Sequence, residues 1–462
     1  MNAPDPQTYY RQVTDVDIGE IARELLGSRI THESRQTLFC DCPNHASQSH
    51  RSLHVSLEEQ CWYCWGCGVG GDVLHLVEFV HHGVVTRGQS GRMPESHRQA
   101  RDFLAARVGL PPLSAKPEEA EAAYQTTIRV REALTALAEL YHQRLLANPE
   151  VLAWFQKKYG IGDETVARLK IGFANDDPSA ARALMDGPGA FTMRELTATS
   201  AFRPTAQDGI VPFFVGRIVF PYWSRGRVVF MIGRRTPWTP DQPWEKSKYK
   251  KLAVRNERDH AHVAPCIQND VLYNEDVLLT RPERVIITEG VTDCISLMQH
   301  GFPAVSPVTL QIREADWERL LPKLRGVKTV YVCQDNEVSE AGMQGALKTA
   351  RILADHGITT RVAILPLGDK QRAAREKLAA GAPESEELLA DAKIDVNEFF
   401  ASGKTAADFE AILADAQTPL ELAISKLSVD VPDRDLSRLL EPVLAEVGRL
   451  DPIEQRSEER RV

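Results

Sequence analysis

The sequence predicts an α/β multidomain protein: a small Cys/His-rich unit, a mixed α+β basic subdomain, an α/β domain with a parallel sheet, and a short helical tail. Three observations carry this. Five of the eight cysteines fall between Cys40 and Cys67. The segment from Pro212 to Arg255 holds ten Lys/Arg against two acids, although the 462-residue chain has a net charge of −9. Beyond Arg284, short apolar runs alternate with helical segments, which is the pattern of a parallel sheet crossed over by helices.

Length and composition set the frame. A chain about three times an ordinary domain is read as several units, with expected boundaries at 1–85, 127–275, 276–403 and 404–462 and a linker at 86–126. The content is 43% hydrophobic and 26% charged, the balance of a globular protein. The opening MNAPDPQTYYRQ lacks an apolar run behind a basic start, so it does not read as a secretory signal. No stretch reaches the roughly 18 apolar residues of a membrane span. The expected location is the cytoplasm, without a membrane partner.

The first unit opens on a helical pattern from Asp17 to Leu26. Cys42-Pro-Asn-His45 follows, then, after eighteen intervening residues, Cys64-Trp-Gly-Cys67. Two knuckles of this kind suit one tetrahedral Zn²⁺, because thiolate and imidazole ligands from two tight turns can close around a single ion. Clustered cysteines in a chain without a secretory signal point to metal rather than disulfides. Cys40 and Cys61 lie close enough to serve as alternatives, but their spacing is poorer. The scattered Cys266, Cys294 and Cys333 read as small buried core residues. His50, Arg51, His54, Trp62 and Trp65 supply cations and rings suited to stacking on a single strand; a small unit also needs the metal simply as a staple.

Polar stretches at 87–96 and 113–120 read as linker, with a brief helix near 99–108 between them. Apolar Ile128, Leu134, Leu137, Tyr141 and Leu145 recur at helical spacing. IVFPYW and VVFMI around Ser224-Arg-Gly-Arg227 read as a hairpin. The cations Arg217, Arg234, Arg235, Lys248, Lys250 and Lys251, with Tyr249 among them, are candidates to hold triphosphates and template phosphates.

In the last large unit, Val285-Ile-Ile-Thr-Glu289-Gly290 runs into a helix carrying Asp293. Val330-Tyr-Val-Cys-Gln-Asp335-Asn-Glu337 follows, with Asp335 forty-six positions after Glu289. Both acids sit at the C-terminal end of an expected parallel strand, the edge where open α/β sheets bind ligands. Carboxylates there can share Mg²⁺ or Mn²⁺, and two such ions can activate a 3′ hydroxyl and stabilise a departing pyrophosphate. An Asp at a strand end is also an ordinary turn former, so the combination is what carries weight. No GxxxxGK[ST] loop occurs in the chain.

These motifs resemble the DnaG-type bacterial and phage DNA primases. Cys-Pro-x-His, Ser52-Leu-His-Val55, Tyr63-Cys-Trp-Gly-Cys-Gly68 and Gly71-Asp72 are similar to that family's zinc finger, a zinc-ribbon-like domain that engages template DNA. Glu-Gly, Asp-x-Glu, Ala341-Gly342 and Ile394-Asp-Val-Asn-Glu398 resemble the Toprim fold. Tyr159-Gly-Ile161, Ile171-Gly-Phe-Ala174, Gly216-Arg-Ile-Val-Phe-Pro221, Gly233-Arg-Arg235, Lys248-Tyr249 and Leu272-Tyr-Asn-Glu275 occur in the order of the family's polymerase domain. The resemblance implies Glu289, Asp335 and Glu337 as core metal acids, with Asp293 and Asp395 secondary. It gives Lys248 a catalytic role and Glu289 a part in proton transfer. It implies synthesis of short RNA primers on a single-stranded DNA template from nucleoside triphosphates.

The chain departs from the family pattern at Ser47–Arg51, at Asp335-Asn-Glu337 in place of the family's Asp-x-Asp, in two extra residues before Ala341, and at Asp395-Val-Asn397, which removes one carboxylate of the family's Asp-Pro-Asp. Only 62 residues follow Phe400, short for a helicase-docking domain. The expectation is a mobile-element, plasmid or phage-like primase, or a shortened chain, whose replicative helicase is a separate chain or is bound differently. The other readings are a Toprim nuclease or repair protein, and a DNA-binding scaffold with a weakened site.

Overall fold

The computed structural model describes residues 6–46, 49–86, 94–110, 117–205, 209–257, 260, 262–309, 311–324, 326–339 and 341–425, together with five positions between 440 and 448. It divides into two compact units, residues up to Ala153 with Val166–Thr280, and Trp154–Thr165 with the chain from Arg281.

The first unit begins with α1 (Pro6–Thr14) and α2 (Ile18–Leu26). Asp17 caps α2 by accepting the Glu20 N–H, which meets one of the donors that a helix start leaves unsatisfied. An antiparallel sheet then runs in order from β1 (Ile30–Glu33) through β2 (Thr37–Cys40), β3 (Leu53–Ser56) and β4 (Cys61–Cys64) to β5 (Val69–Gly71). Alternation gives it one buried face, with Leu38, Leu53, Val55 and Trp62 packed under α3 (Val73–His82). Asp72 caps α3, and left-handed Gly83 ends it.

The expected linker is in part a helix of this core. α4 (Glu95–Arg107) buries Ala100 and Leu104, and Tyr124 of α5 (Pro117–Leu146) stacks on Tyr10. The brief helix expected near 99–108 is α4, and Ala100 and Leu104, one turn apart, share its buried face. Residues 87–93 and 111–116 of that expectation lie outside the described residues.

The rest of this unit supplies a second antiparallel sheet, β6 (Gly172–Ala174), β9 (Arg217–Ser224), β10 (Arg227–Arg235) and β11 (Tyr249–Lys251), in the order β11-β10-β9-β6. The hairpin expected around Ser224–Arg227 is β9–β10, and α5 packs on it. Short α8 (Ala180–Asp186), α9 (Met193–Ala198), the pair β7 (Phe202–Pro204) and β8 (Ile210–Pro212), and β12 (Leu272–Tyr273) complete it. Helices α6 (Pro149–Tyr159) and α7 (Asp163–Leu169) straddle the division between the units.

The second unit is built on parallel strands β13 (Arg284–Thr288), β14 (Ala304–Pro307), β15 (Thr329–Cys333) and β16 (Thr360–Val362), in the order β14-β13-β15-β16. Their near-continuous apolar runs are buried, as strands covered on both faces require. The helices are α10 (Val291–Gln299), α11 (Glu314–Leu324), α12 (Ala341–Asp355), α13 (Asp369–Ala379), α14 (Glu386–Asp391), α15 (Val396–Ala401), α16 (Ala406–Ala414) and α17 (Pro419–Ser425). The expected helical tail is thus seen in α16 and α17; most of it beyond Ser425 lies outside the described residues. The α/β multidomain class holds.

Cys294 and Cys333 are core residues as expected, whereas Cys266 is only half-buried. No helix among the described residues is long and apolar enough to cross a membrane.

Candidate metal centres and basic face

Cys42, His45, Cys64 and Cys67 bring four ligand atoms within 4.8 Å of one another. Cys42 Sγ and Cys67 Sγ are 3.8 Å apart, the separation of about 3.8 Å expected for two thiolates ~2.3 Å from one tetrahedral ion. His45 Nδ1 lies 3.2 Å from Cys67 Sγ and 3.9 Å from Cys64 Sγ. A Cβ on Gly66 would meet His45 Nε2 at 2.2 Å, and Gly68 turns with φ +67°, so the second knuckle can close on the imidazole only with glycine there. The Asn44 N–H donates to Cys42 Sγ across 3.4 Å, and Asn44 Nδ2 ties the first knuckle to the Phe79 carbonyl of α3. Donor set and geometry fit a structural thiolate–imidazole centre. Cys40 is buried in the sheet core, and Cys61 is half-buried with its thiol toward Glu59; neither joins the group.

The outer face of the finger sheet carries rings in cross-strand register. His32 pairs with Phe39, Phe39 with His54, and His54 with Tyr63. Arg51 lies over the Phe39 ring, and Trp65, 73% exposed, meets Tyr63 edge-on at 4.7 Å. Trp62 points the other way into the core against Phe79. His50 is exposed and paired with Asp41. The residues Ser47 and Gln48 of the divergent segment lie outside the described residues.

In the second unit, Asp293, Asp335 and Asp395 bring carboxylate oxygens within 4.8 Å of one another. Each arrives from a different connection: Asp293 in the first turn of α10, Asp335 two residues beyond β15, and Asp395 as the N-cap of α15. The convergence is braced. An isolated bridge joins Asn336 and Ile394 through two backbone hydrogen bonds. Arg375 donates to the Ala392 carbonyl, the Asn336 carbonyl and Asn336 Oδ1. A Cβ on Gly342 would meet the Asp335 carbonyl at 2.3 Å, so α12 starts hard against that loop.

Asp293 and Asp335 are both buried. Burial, then the Asp395 and Asp335 carboxylates, push Asp293 well above the usual carboxylate range. Burial raises Asp335 too, and Lys393 partly offsets it. Three crowded carboxylates, two of them buried, repel one another, and either protonation or a hard oxygen-seeking cation would relieve the repulsion.

The remaining expected acids are placed differently. Glu289 immediately follows β13, near enough for its charge to act on Asp293 and Lys393, but it is not in the close group. One oxygen of Glu337 accepts from Ser339 Oγ and the Gly342 N–H, so it serves the start of α12. Lys393, which sequence reasoning passed over, contacts Asp335 and stands 4.0 Å from Glu337. Burial opposes its charge, yet Asp335, then Glu289 and Glu337, hold its ammonium above the ordinary lysine range. Asn397 is buried, donating Nδ2 to the Tyr159 carbonyl and Ser296 Oγ.

The expected basic residues divide in two. Arg217 corrects the expectation of a phosphate contact: it is 0% exposed, ion-paired with Glu245 and bonded to the Gly233, Ser247 and Glu245 carbonyls. It opens a strand whose first six residues, Arg217 to Tyr222, are all buried. Lys250 also pairs with Glu245 and lies 4.2 Å from the Phe213 ring. Arg234 stacks over Tyr249 at 4.8 Å, Arg235 reaches Asp241, Lys248 is exposed and Lys251 is half-buried.

Residues 8–84 match the family described as CHC2 zinc finger, and residues 286–373 the family described as Toprim-like. Curated relatives are named DNA primase. That of Geobacillus stearothermophilus is 26% identical over 371 residues, covering 76% of this chain and 55% of its own length. That of Deinococcus radiodurans is 24% identical over 431 residues, covering 92% and 64%. This chain therefore spans less than two thirds of either.

Among solved structures, the zinc-binding and RNA polymerase domains of the Aquifex aeolicus primase share the fold at TM-score 0.54 and 19% identity, covering 99% of this chain and 95% of that one. The RNA polymerase domain of Mycobacterium tuberculosis primase DnaG, solved with double-stranded DNA, matches at TM-score 0.54 and 19% identity over 72% of this chain and 96% of that one.

Proposed function

We propose that this chain, a relative of the DnaG-type primases in its finger, its Toprim-like domain and its fold, synthesises short RNA primers on single-stranded DNA by metal-dependent nucleotidyl transfer. The observation that carries the reading is the convergence of Asp293, Asp335 and Asp395 at the C-terminal edge of a parallel sheet, where such sheets bind ligands. These acids, with Glu289 and Glu337 around them, would hold Mg²⁺ or Mn²⁺; Cys42, His45, Cys64 and Cys67 would hold Zn²⁺. Bound there, a divalent ion would supply Lewis-acid activation of a 3′ hydroxyl and charge neutralisation for the departing pyrophosphate.

The chain's own groups do the rest. Glu289 is assigned the proton transfer, and Lys248 with Arg234, Arg235 and Lys251 hold triphosphate and template phosphates. Tyr249 and the Arg51–Trp65 face of the finger receive the single strand by stacking and charge. The substrates are nucleoside triphosphates, the place of action is the cytoplasm, and a replicative helicase on a separate chain is a further partner. The test is de novo synthesis on single-stranded DNA with labelled nucleotides and Mg²⁺ or Mn²⁺. Asp335→Asn and Glu289→Gln should abolish product; product persisting unchanged in both would sink the assignment.

A further inference from the structure

The short approach to α15 delivers a cation as well as an acid. Lys393 stands two residues before Asp395, and the Asn336–Ile394 bridge draws it to the carboxylates on the other loop. Its ammonium contacts Asp335 Oδ2 and lies 4.0 Å from Glu337 Oε2, with the lysine side chain 29% exposed. The other Glu337 oxygen is committed to Ser339 and to the Gly342 N–H. Asp335 also belongs to the close acid group, made with Asp293 and Asp395. Asp335 is thus shared between a three-carboxylate pocket and an ammonium.

Two-metal phosphoryl-transfer sites place a pair of cations about 3.5–4 Å apart around shared carboxylates. We infer that Lys393 occupies the second of those places, so that the site takes one divalent ion, in the Asp293–Asp335–Asp395 pocket, with the ammonium of Lys393 as fixed counter-charge between Asp335 and Glu337. The inference rests on the reading of the acids as a metal site and adds how many ions they take. Lys393 is a positioning residue here: it acts through Asp335, orienting that carboxylate and supplying charge without an exchangeable ligand.

The test counts ions on the zinc-loaded full chain, titrating Mn²⁺ and following the electron paramagnetic resonance signal of the uncomplexed ion. One tight Mn²⁺ should bind the parent and be lost in Asp293→Asn. Lys393→Ala should raise the count from one to two, and Lys393→Arg should keep it at one. A purely structural salt bridge would alter stability but not the count. If the alanine variant does not fold, Lys393→Gln, checked by circular dichroism, should give the same rise. Two ions in the parent, or one in a folded Lys393→Ala or Lys393→Gln protein, overturns the inference while leaving the metal site intact. No tight ion in the parent overturns both this inference and the reading beneath it.

Discussion

The backbone N–H of Asn397 donates to Asp293 Oδ1 across 3.0 Å, so the residue at the Asp395-Val-Asn397 departure orients a member of the acid group through its main chain. Its side chain points away from that group, to the Tyr159 carbonyl at 2.7 Å and Ser296 Oγ at 2.8 Å.

Restoring a carboxylate at this position should therefore weaken the protein. Asn397→Asp sets a buried anion against a carbonyl oxygen and near Asp293, at a cost of about 3 kcal/mol at neutral pH. Urea unfolding should show the deficit shrinking as the pH falls, because a protonated Asp regains a donor. An unchanged midpoint at neutral pH would contradict this placement.

Arg217 should behave as a core residue. Arg217→Met leaves the buried Glu245 short of a partner and should cost about 3–5 kcal/mol in denaturant unfolding. Adding Glu245→Leu and Lys250→Met, which clears the whole ion group, should recover much of the loss, since no uncompensated charge is then left buried. A phosphate contact would instead lower the slope of log affinity against log salt by about one, with little effect on stability.

Glu78 in α3 links acid stability to the finger. Burial works against its charge, but His97, 3.6 Å away, and hydrogen bonds from Thr86 and Ser96 overcome it and hold the group at about 2, against an ordinary value of 4.5. A depressed carboxylate stabilises above its unfolded value and loses that contribution as pH falls through its folded one. The shift corresponds to about 3 kcal/mol. Glu78→Gln should thus be less stable than the parent at pH 7, with the difference closing between pH 4.5 and 2. A gap independent of pH would refute it.

The two finger tryptophans should separate binding from folding. Trp65→Ala removes a ring that is 73% exposed and should change stability by under about 0.5 kcal/mol, yet weaken single-stranded DNA binding by about 1–3 kcal/mol. Trp62→Ala empties the core beside Phe79 and should cost about 3–5 kcal/mol of stability. Fluorescence anisotropy with a labelled oligonucleotide and thermal unfolding distinguish them.

What was legible in the chain was local. The Cys42–His45 and Cys64–Cys67 knuckles, the β9–β10 hairpin, and the apolar strands ending at Glu289 and Asp335 depend on residues a few positions apart. Turn chemistry and hydrophobic periodicity carry those signals directly. Three features were decided only in three dimensions. Arg217 reads as a surface cation until β9 sets it against Glu245, twenty-eight positions on. Lys393 reads as an ordinary charged residue until the Asn336–Ile394 bridge sets it against Asp335. Asn397 reads as a lost ligand until α10 and Tyr159 supply its partners. In each case the partner comes from another element, and local pattern cannot report which distant oxygen a buried nitrogen will meet. The sequence by itself determined the two Cys/His knuckles, the acids at the strand ends and the α/β frame; the tertiary structure decided which acids converge, which cations remain at the surface, and that one lysine lies among the carboxylates.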